Sequence, residues 1–103
     1  MAAEKTAVLR VVVVKTDDVA AYLAQFEKGK EIMKKLGVTA QTRVWHATFA
    51  GPNAGSIVVG SEFPDMAALA EAAKLLTHKD YVAWLKSLDK LRTVISDSLY
   101  REL

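Results

Sequence analysis

Apolar residues along this chain switch between two periods, and the switches lay out its elements. Residues 6–15 contain VLRVVVV, a short run dominated by β-branched side chains and stopped by Thr16-Asp17-Asp18. Such a run predicts a strand buried on both faces rather than a helix. Thr16 or Asp17 then offers an N-cap, and Val19, Tyr22, Leu23, Phe26, Met33 and Leu36 follow at three- and four-residue spacing, broken only around Gly29-Lys30. The spacing predicts an amphipathic helix of about five turns, with Gly37 where a helix end favours a left-handed residue. Two more strands are expected over residues 40–50 and 55–63, around the turn Gly51-Pro52-Asn53-Ala54-Gly55. Pro64 and Asp65 suit the opening of a second helix, whose apolar stripe is Met66, Leu69, Ala73 and Leu76. The pattern restarts at Thr77-His78-Lys79-Asp80, where Thr77 and Asp80 resemble a capping box, and Tyr81, Trp84, Leu85 and Leu88 share the next helical face. Residues 92–101 alternate loosely and read as a last strand.

The order strand, helix, strand, strand, broken helix, strand is that of the α+β ferredoxin-like plait, with helices on one side of an antiparallel sheet. Right-handed crossovers then give the spatial strand order 4-1-3-2. One domain spanning residues 1–103 is the natural reading at this length. Alternation divides the second strand into Arg43, Trp45, Ala47 and Phe49 on one face and Thr42, Val44, His46 and Thr48 on the other. With a turn centred on Asn53, Trp45 falls opposite Ser61, and Glu62 shares the face of Val44 and His46. A one-residue slip would exchange these faces. Neither face of VLRVVVV suits water, since each exposed valine forgoes roughly 1.5–3 kcal/mol of burial. The helices of so short a chain cover the sheet once. A second copy packed sheet to sheet would cover it twice, so a homodimer is expected.

Composition narrows the classes. The formal net charge is only +2, which gives no nucleic-acid footprint. Lys28, Lys30, Lys34 and Lys35 cluster beside Glu27 and Glu31, the mark of a solvated helix face more than of a phosphate site. Without cysteine, disulfides, thiol nucleophiles and thiolate-ligated metals are excluded. The apolar run near the N-terminus is short and interrupted by Arg10, unlike a signal peptide, and no run reaches the roughly 20 residues of a membrane span. No membrane association and a cytoplasmic location are the expectations.

The plait order, the hairpin WHATFAGPNAG, the strand exit Glu62-Phe63-Pro64-Asp65 and the segment HKDYVAWL together resemble the dimeric α+β barrel superfamily. The nearest likenesses are to small NIPSNAP-like and antibiotic-biosynthesis-monooxygenase-like proteins, and they extend over nearly the whole chain. The resemblance implies a homodimer binding a small, largely apolar organic molecule between each sheet and its helices. If it implies an enzyme, the chemistry is cofactor-free oxygenation or a related proton transfer. The superfamily also holds proteins without known activity, so a non-catalytic dimerisation or ligand-sensing module stays open. Haem-degrading members use an asparagine, a tryptophan and a helix histidine together. The only asparagine here is Asn53, in the hairpin turn, which weakens that alternative.

The candidate chemistry centres on a few side chains. His46 is the first candidate for a general base near neutral pH, and Glu62 could orient it or act as base if burial raises its pKa. Both read equally as structural groups. Arg43 and Arg10 suit a substrate carboxylate or enolate, or pair with Glu62 or Asp97 within the sheet. Trp45 and Phe49 could form a flat wall for an aromatic ligand, and Trp84 a further contact, though aromatics in such positions are commonly core. Two histidines without an acidic cluster make no metal site. Strands one and three lack the aromatic platform of an RNA-recognition sheet, so nucleic acid is not an expected partner.

Overall fold

The computed structural model of the chain describes residues 6–38, 40–48 and 51–103. Four strands and three helices follow one another as β1 (Val8–Lys15), α1 (Val19–Lys35), β2 (Gln41–His46), β3 (Ile57–Phe63), α2 (Met66–Ala73), α3 (Lys79–Asp89) and β4 (Thr93–Arg101). The strands form one antiparallel sheet in the order β2-β3-β1-β4. This is the expected plait, with the β-branched run of β1 at its centre. All three helices lie on one face, and the molecule is 16 Å across its shortest axis, the thickness of two layers.

Local chemistry explains where the elements begin and end. Asp18, one residue beyond the expected cap, starts α1 by accepting from the Ala21 N–H at 3.0 Å. Gly37 ends it at φ 76° while the Val38 N–H reaches back to the Met33 carbonyl at 3.0 Å, a closure that needs a left-handed residue. Asp65 caps α2 through the Ala68 N–H at 2.8 Å. A 3-10 turn, Lys74–Thr77, separates α2 from α3. The expected capping box does not form there. Thr77 donates its hydroxyl proton to the Lys74 carbonyl, and the cap of α3 is His78, whose Nδ1 accepts from the Asp80 N–H at 3.3 Å.

The hairpin register differs from expectation. Trp45 pairs with Val58 rather than Ser61, and Glu62 pairs with Gln41. The reason is the connection between β2 and β3. A 3-10 turn at Gly51–Asn53 moves its centre back toward the N-terminus, and the Gly55 N–H closes it onto the Ala47 carbonyl at 2.7 Å. The slip is odd-numbered, so it reverses which β3 residues share a face with Trp45. Glu62 lies on the face of Arg43 and Trp45, not on that of Val44 and His46.

The core sits between sheet and helices. Val14, Ile57 and Val59 from the sheet meet Tyr22 and Phe26 of α1 and Trp84 and Leu88 of α3. Trp84 is the joint between the two long helices. Its indole N–H donates to the Gln25 carbonyl at 2.6 Å, and its ring lies against Gly29 so closely that a side chain there would run into the indole carbons. Phe26 and Tyr81 tilt against the same ring at 6.5 and 5.3 Å. The expectation that Gly29 merely interrupts the α1 stripe is thus replaced by a packing reason for glycine. Tyr22 is wholly buried, and its hydroxyl has no hydrogen-bond partner among the described residues. Burial pushes its phenol pKa up. The nearby Arg92 guanidinium works against this without completing a bond of good geometry.

Candidate functional site

The two sheet faces hold two different concavities. On the helix side, a cavity of about 440 Å³ lies between the sheet floor and a roof made by α2, the Lys74–Thr77 turn and α3. That volume is in the range of small-molecule sites. Its apolar walls include Phe26, Val59, Phe63, Leu75, Trp84 and Leu85. Its polar groups gather at the β1–β4 side: Arg10, Asp97, Tyr81, Arg92 and Asp89.

These polar groups are largely paired. The Arg10 guanidinium grips Asp97 with Nε at 2.9 Å and Nη2 at 2.6 Å, a bidentate contact across neighbouring strands. The bond from Arg10 holds the Asp97 carboxyl below its usual pKa, with desolvation opposing, while the same bond raises the Arg10 pKa. Arg92 donates Nε and Nη2 to Asp89 at 3.1 and 2.9 Å. Tyr81 stands within the field of both guanidinium groups. Desolvation nevertheless dominates and raises its pKa, so the phenol is neutral at physiological pH and available as a hydrogen-bond donor. Deeper along the floor, Thr42 and Ser61 share one hydroxyl–hydroxyl bond of 3.3 Å.

On the open side, a groove of about 480 Å³ is lined by Leu9, Val11, Val58 and Gly60 together with Gln41, Arg43, Trp45 and Glu62. Arg43 lies over the Trp45 ring, its guanidinium carbon 5.8 Å from the centroid, a cation–π distance. No helix covers this face, and Trp45 is 54% exposed.

The candidates read from the sequence are therefore divided. Arg10 and Trp84 line the helix-side cavity, Trp84 as a buried wall residue at 7% exposure. Arg43, Trp45 and Glu62 line the open groove. His46 is exposed near the end of β2 and lines neither concavity. The expected His46–Glu62 partnership is not formed, because the two project from opposite faces. Phe49 lies outside the described residues. Of the alternatives for Arg10, pairing with Asp97 is the one realised. Sequence reasoning did not single out Tyr81 as a polar group, nor Arg92, Asp89, Thr42 and Ser61 at all. Only the alternation of Thr42 with Val44 carried a signal, since it places a hydroxyl among core-facing positions. Among the described residues, no cluster of three or more His, Asp or Glu side chains could hold a metal, and no helix is long and apolar enough to cross a membrane.

An α+β plait with a helix-side cavity of this size defines the class of architecture. Within it, the chain is similar to crystal structures of SnoaB, a cofactor-independent oxygenase from Streptomyces nogalater. One superposes with a TM-score of 0.73 at 13% sequence identity, covering 95% of this chain and 94% of that one. A point variant of the same protein gives 0.69 at 14% identity, over 91% and 90%. No family model and no curated protein sequence matches the chain. At such identities the likeness is one of fold.

Proposed function

We propose that this chain is a homodimeric, small-molecule-binding α+β barrel protein and that it acts as a cofactor-independent, monooxygenase-like enzyme on an apolar or aromatic organic substrate. The observation that carries the reading is the helix-side cavity, apolar along its walls and polar at one corner, in a fold shared end to end with a cofactor-independent oxygenase. Of the two likenesses read from the sequence, this favours the monooxygenase-like one over the NIPSNAP-like one. The dimer rests on the open face, where Leu9, Trp45 and Tyr100 are exposed side by side with Val11 and Val58. A monomer would leave an apolar patch that soluble proteins seldom show, and a twofold sheet-to-sheet contact would remove it.

The chemistry asks little of the protein. A substrate C–H acidified by a neighbouring carbonyl or phenol loses its proton, and the anion is held by Arg10 with help from the Tyr81 hydroxyl. Oxygenation of a methylene to a ketone by dioxygen, with water as the second product, draws all its electrons from the substrate, so no cofactor need supply any. The cavity walls exclude water from the anion. In this reading Arg10 and Trp84 bind substrate. His46 and Glu62 remain candidate bases for a ligand held from the open side, with Arg43, Trp45 and Phe49 around it.

The non-catalytic reading, a ligand-sensing or dimerisation module, has one observation in its favour: both cavity arginines are already paired with carboxylates. Haem binding has less, since the Nδ1 of His78 is engaged in capping α3. Oxygen uptake with a panel of hydroquinone-type substrates in the presence of chelator decides between enzyme and module. Substrate-dependent uptake, lost in the cavity-filling variant Ala73→Trp with its melting temperature retained, is the expected result. Ligand binding without uptake across the panel would leave the module reading standing alone.

A further inference from the structure

The floor of the helix-side cavity is apolar except for one row, and that row runs across the strands rather than along them. Thr42 of β2 pairs with Ser61 of β3, and Ser61 pairs with Arg10 of β1. Three polar side chains thus stand abreast on the cavity face, with Asp97 diagonally beyond Arg10. The flanking rows are apolar: Val44, Val59 and Val12 on one side, and Phe63 and Val8 on the other.

Folding does not exhaust the hydrogen-bonding capacity of this row. Two hydroxyls carry two protons, and the single Thr42–Ser61 bond uses one. One donor and several lone pairs remain. Arg10 spends two of its N–H groups on Asp97, and the rest of its five are left over. Leaving such capacity unused beside an apolar cavity is unfavourable by roughly 1–3 kcal/mol per buried group.

We infer that the row is a reading edge for ligand oxygens, and that the cavity takes a flat aromatic molecule carrying two oxygens on one edge in meta relation. This deepens the proposed function and rests on its cavity. Neighbouring strands stand about 4.8 Å apart, and the meta oxygens of a benzene ring are separated by close to the same distance. Ortho oxygens fall well short of it, and oxygens at opposite edges of a ring system cannot both reach the floor. One oxygen meets the Thr42–Ser61 hydroxyl pair and the other meets Arg10, while the ring lies between the floor and the Trp84–Leu85 side of the roof.

Calorimetric titration with two isomeric naphthalenediols tests this, because the isomers share the same apolar surface. One carries both hydroxyls meta on a single ring. The other carries one hydroxyl on each ring at opposite edges. The meta isomer is expected to bind about tenfold tighter. Ser61→Ala and Thr42→Val should each remove three- to tenfold of its affinity, in line with one hydrogen bond, while leaving the other isomer unchanged, and Ser61→Thr should restore the preference. Equal binding of both isomers, or equal losses for both in the variants, overturns the reading edge while the cavity stands as a ligand site. Binding of neither isomer overturns the reading edge and the cavity reading together.

Discussion

The two faces of the sheet are built from the same strands, yet they solve opposite problems. On the helix side, Trp84 is clasped between α1 and α3, bonded to Gln25 and pressed on Gly29. On the open side, Trp45 lies flat beneath Arg43 with half its surface in solvent. One indole is consumed in holding the protomer together. The other is left over for something outside it. The difference teaches that aromatic content alone does not locate a binding surface, because burial decides what an aromatic residue is for.

Exchanging the two indoles for alanine should break the comparison most sharply. Trp84→Ala is expected to lower unfolding free energy by about 3–5 kcal/mol, as for a large aromatic removed from a core, measured by denaturant titration. Trp45→Ala should barely move the protomer's intrinsic stability but weaken self-association by roughly 2 kcal/mol or more, as for a central interface residue, measured by sedimentation equilibrium. Equal effects of the two changes on both measurements would erase the distinction. A smaller effect is expected from Gly29→Ala. Overpacking against the Trp84 ring should cost about 1–3 kcal/mol, partly offset by the better helix propensity of alanine. A net gain in melting temperature would show that the indole is free to shift.

The smallest effect belongs to the rim of the helix-side cavity. The Asp97 pKa is lowered by its bond to Arg10, so the pair stabilises the fold above the ordinary carboxylate range near 3.9 and loses that contribution as pH falls through the lowered folded value. The raised pKa of Arg10 has no consequence below strongly alkaline pH. Both partners are half-exposed, so the pair is worth no more than about 1 kcal/mol. Asp97→Asn should flatten the acid limb of a stability–pH profile without changing its neutral plateau by more than that amount. An unchanged acid limb would mean that the ion pair contributes nothing in solution.

How much was legible in the sequence follows the same division. The element order was legible because β-branched runs and three- and four-residue spacings are local signals, and the strand order followed from chirality. The strand partner of Arg10 was within reach too, since Asp97 stood among its candidates. The hairpin register was not legible. It depends on how Gly51–Asn53 coils, and a single 3-10 turn was enough to place Glu62 on the wrong face. With the register went the pairing of Glu62 with His46, and with it the first reading of the site. Tyr81 and Arg92 escaped because their role is set by where α3 and the start of β4 meet above the sheet, which no spacing along the chain encodes. The cap of α3 escaped for a similar reason: Thr77 was drawn into the preceding turn, which left His78 to take its place.

The strand order has a temporal side. β1 is the most apolar strand and the first to leave the ribosome, but its neighbours are β3 and β4, the third and last strands in the chain. The valine-rich segment therefore waits, unpaired on both edges, until most of the protein has been made. Non-local pairing of this kind slows folding, and a short β-branched run without charge or proline is the sort that associates with its own kind while it waits. Arg10, placed inside that run, breaks it with a charge during synthesis and meets Asp97 only when the last strand arrives.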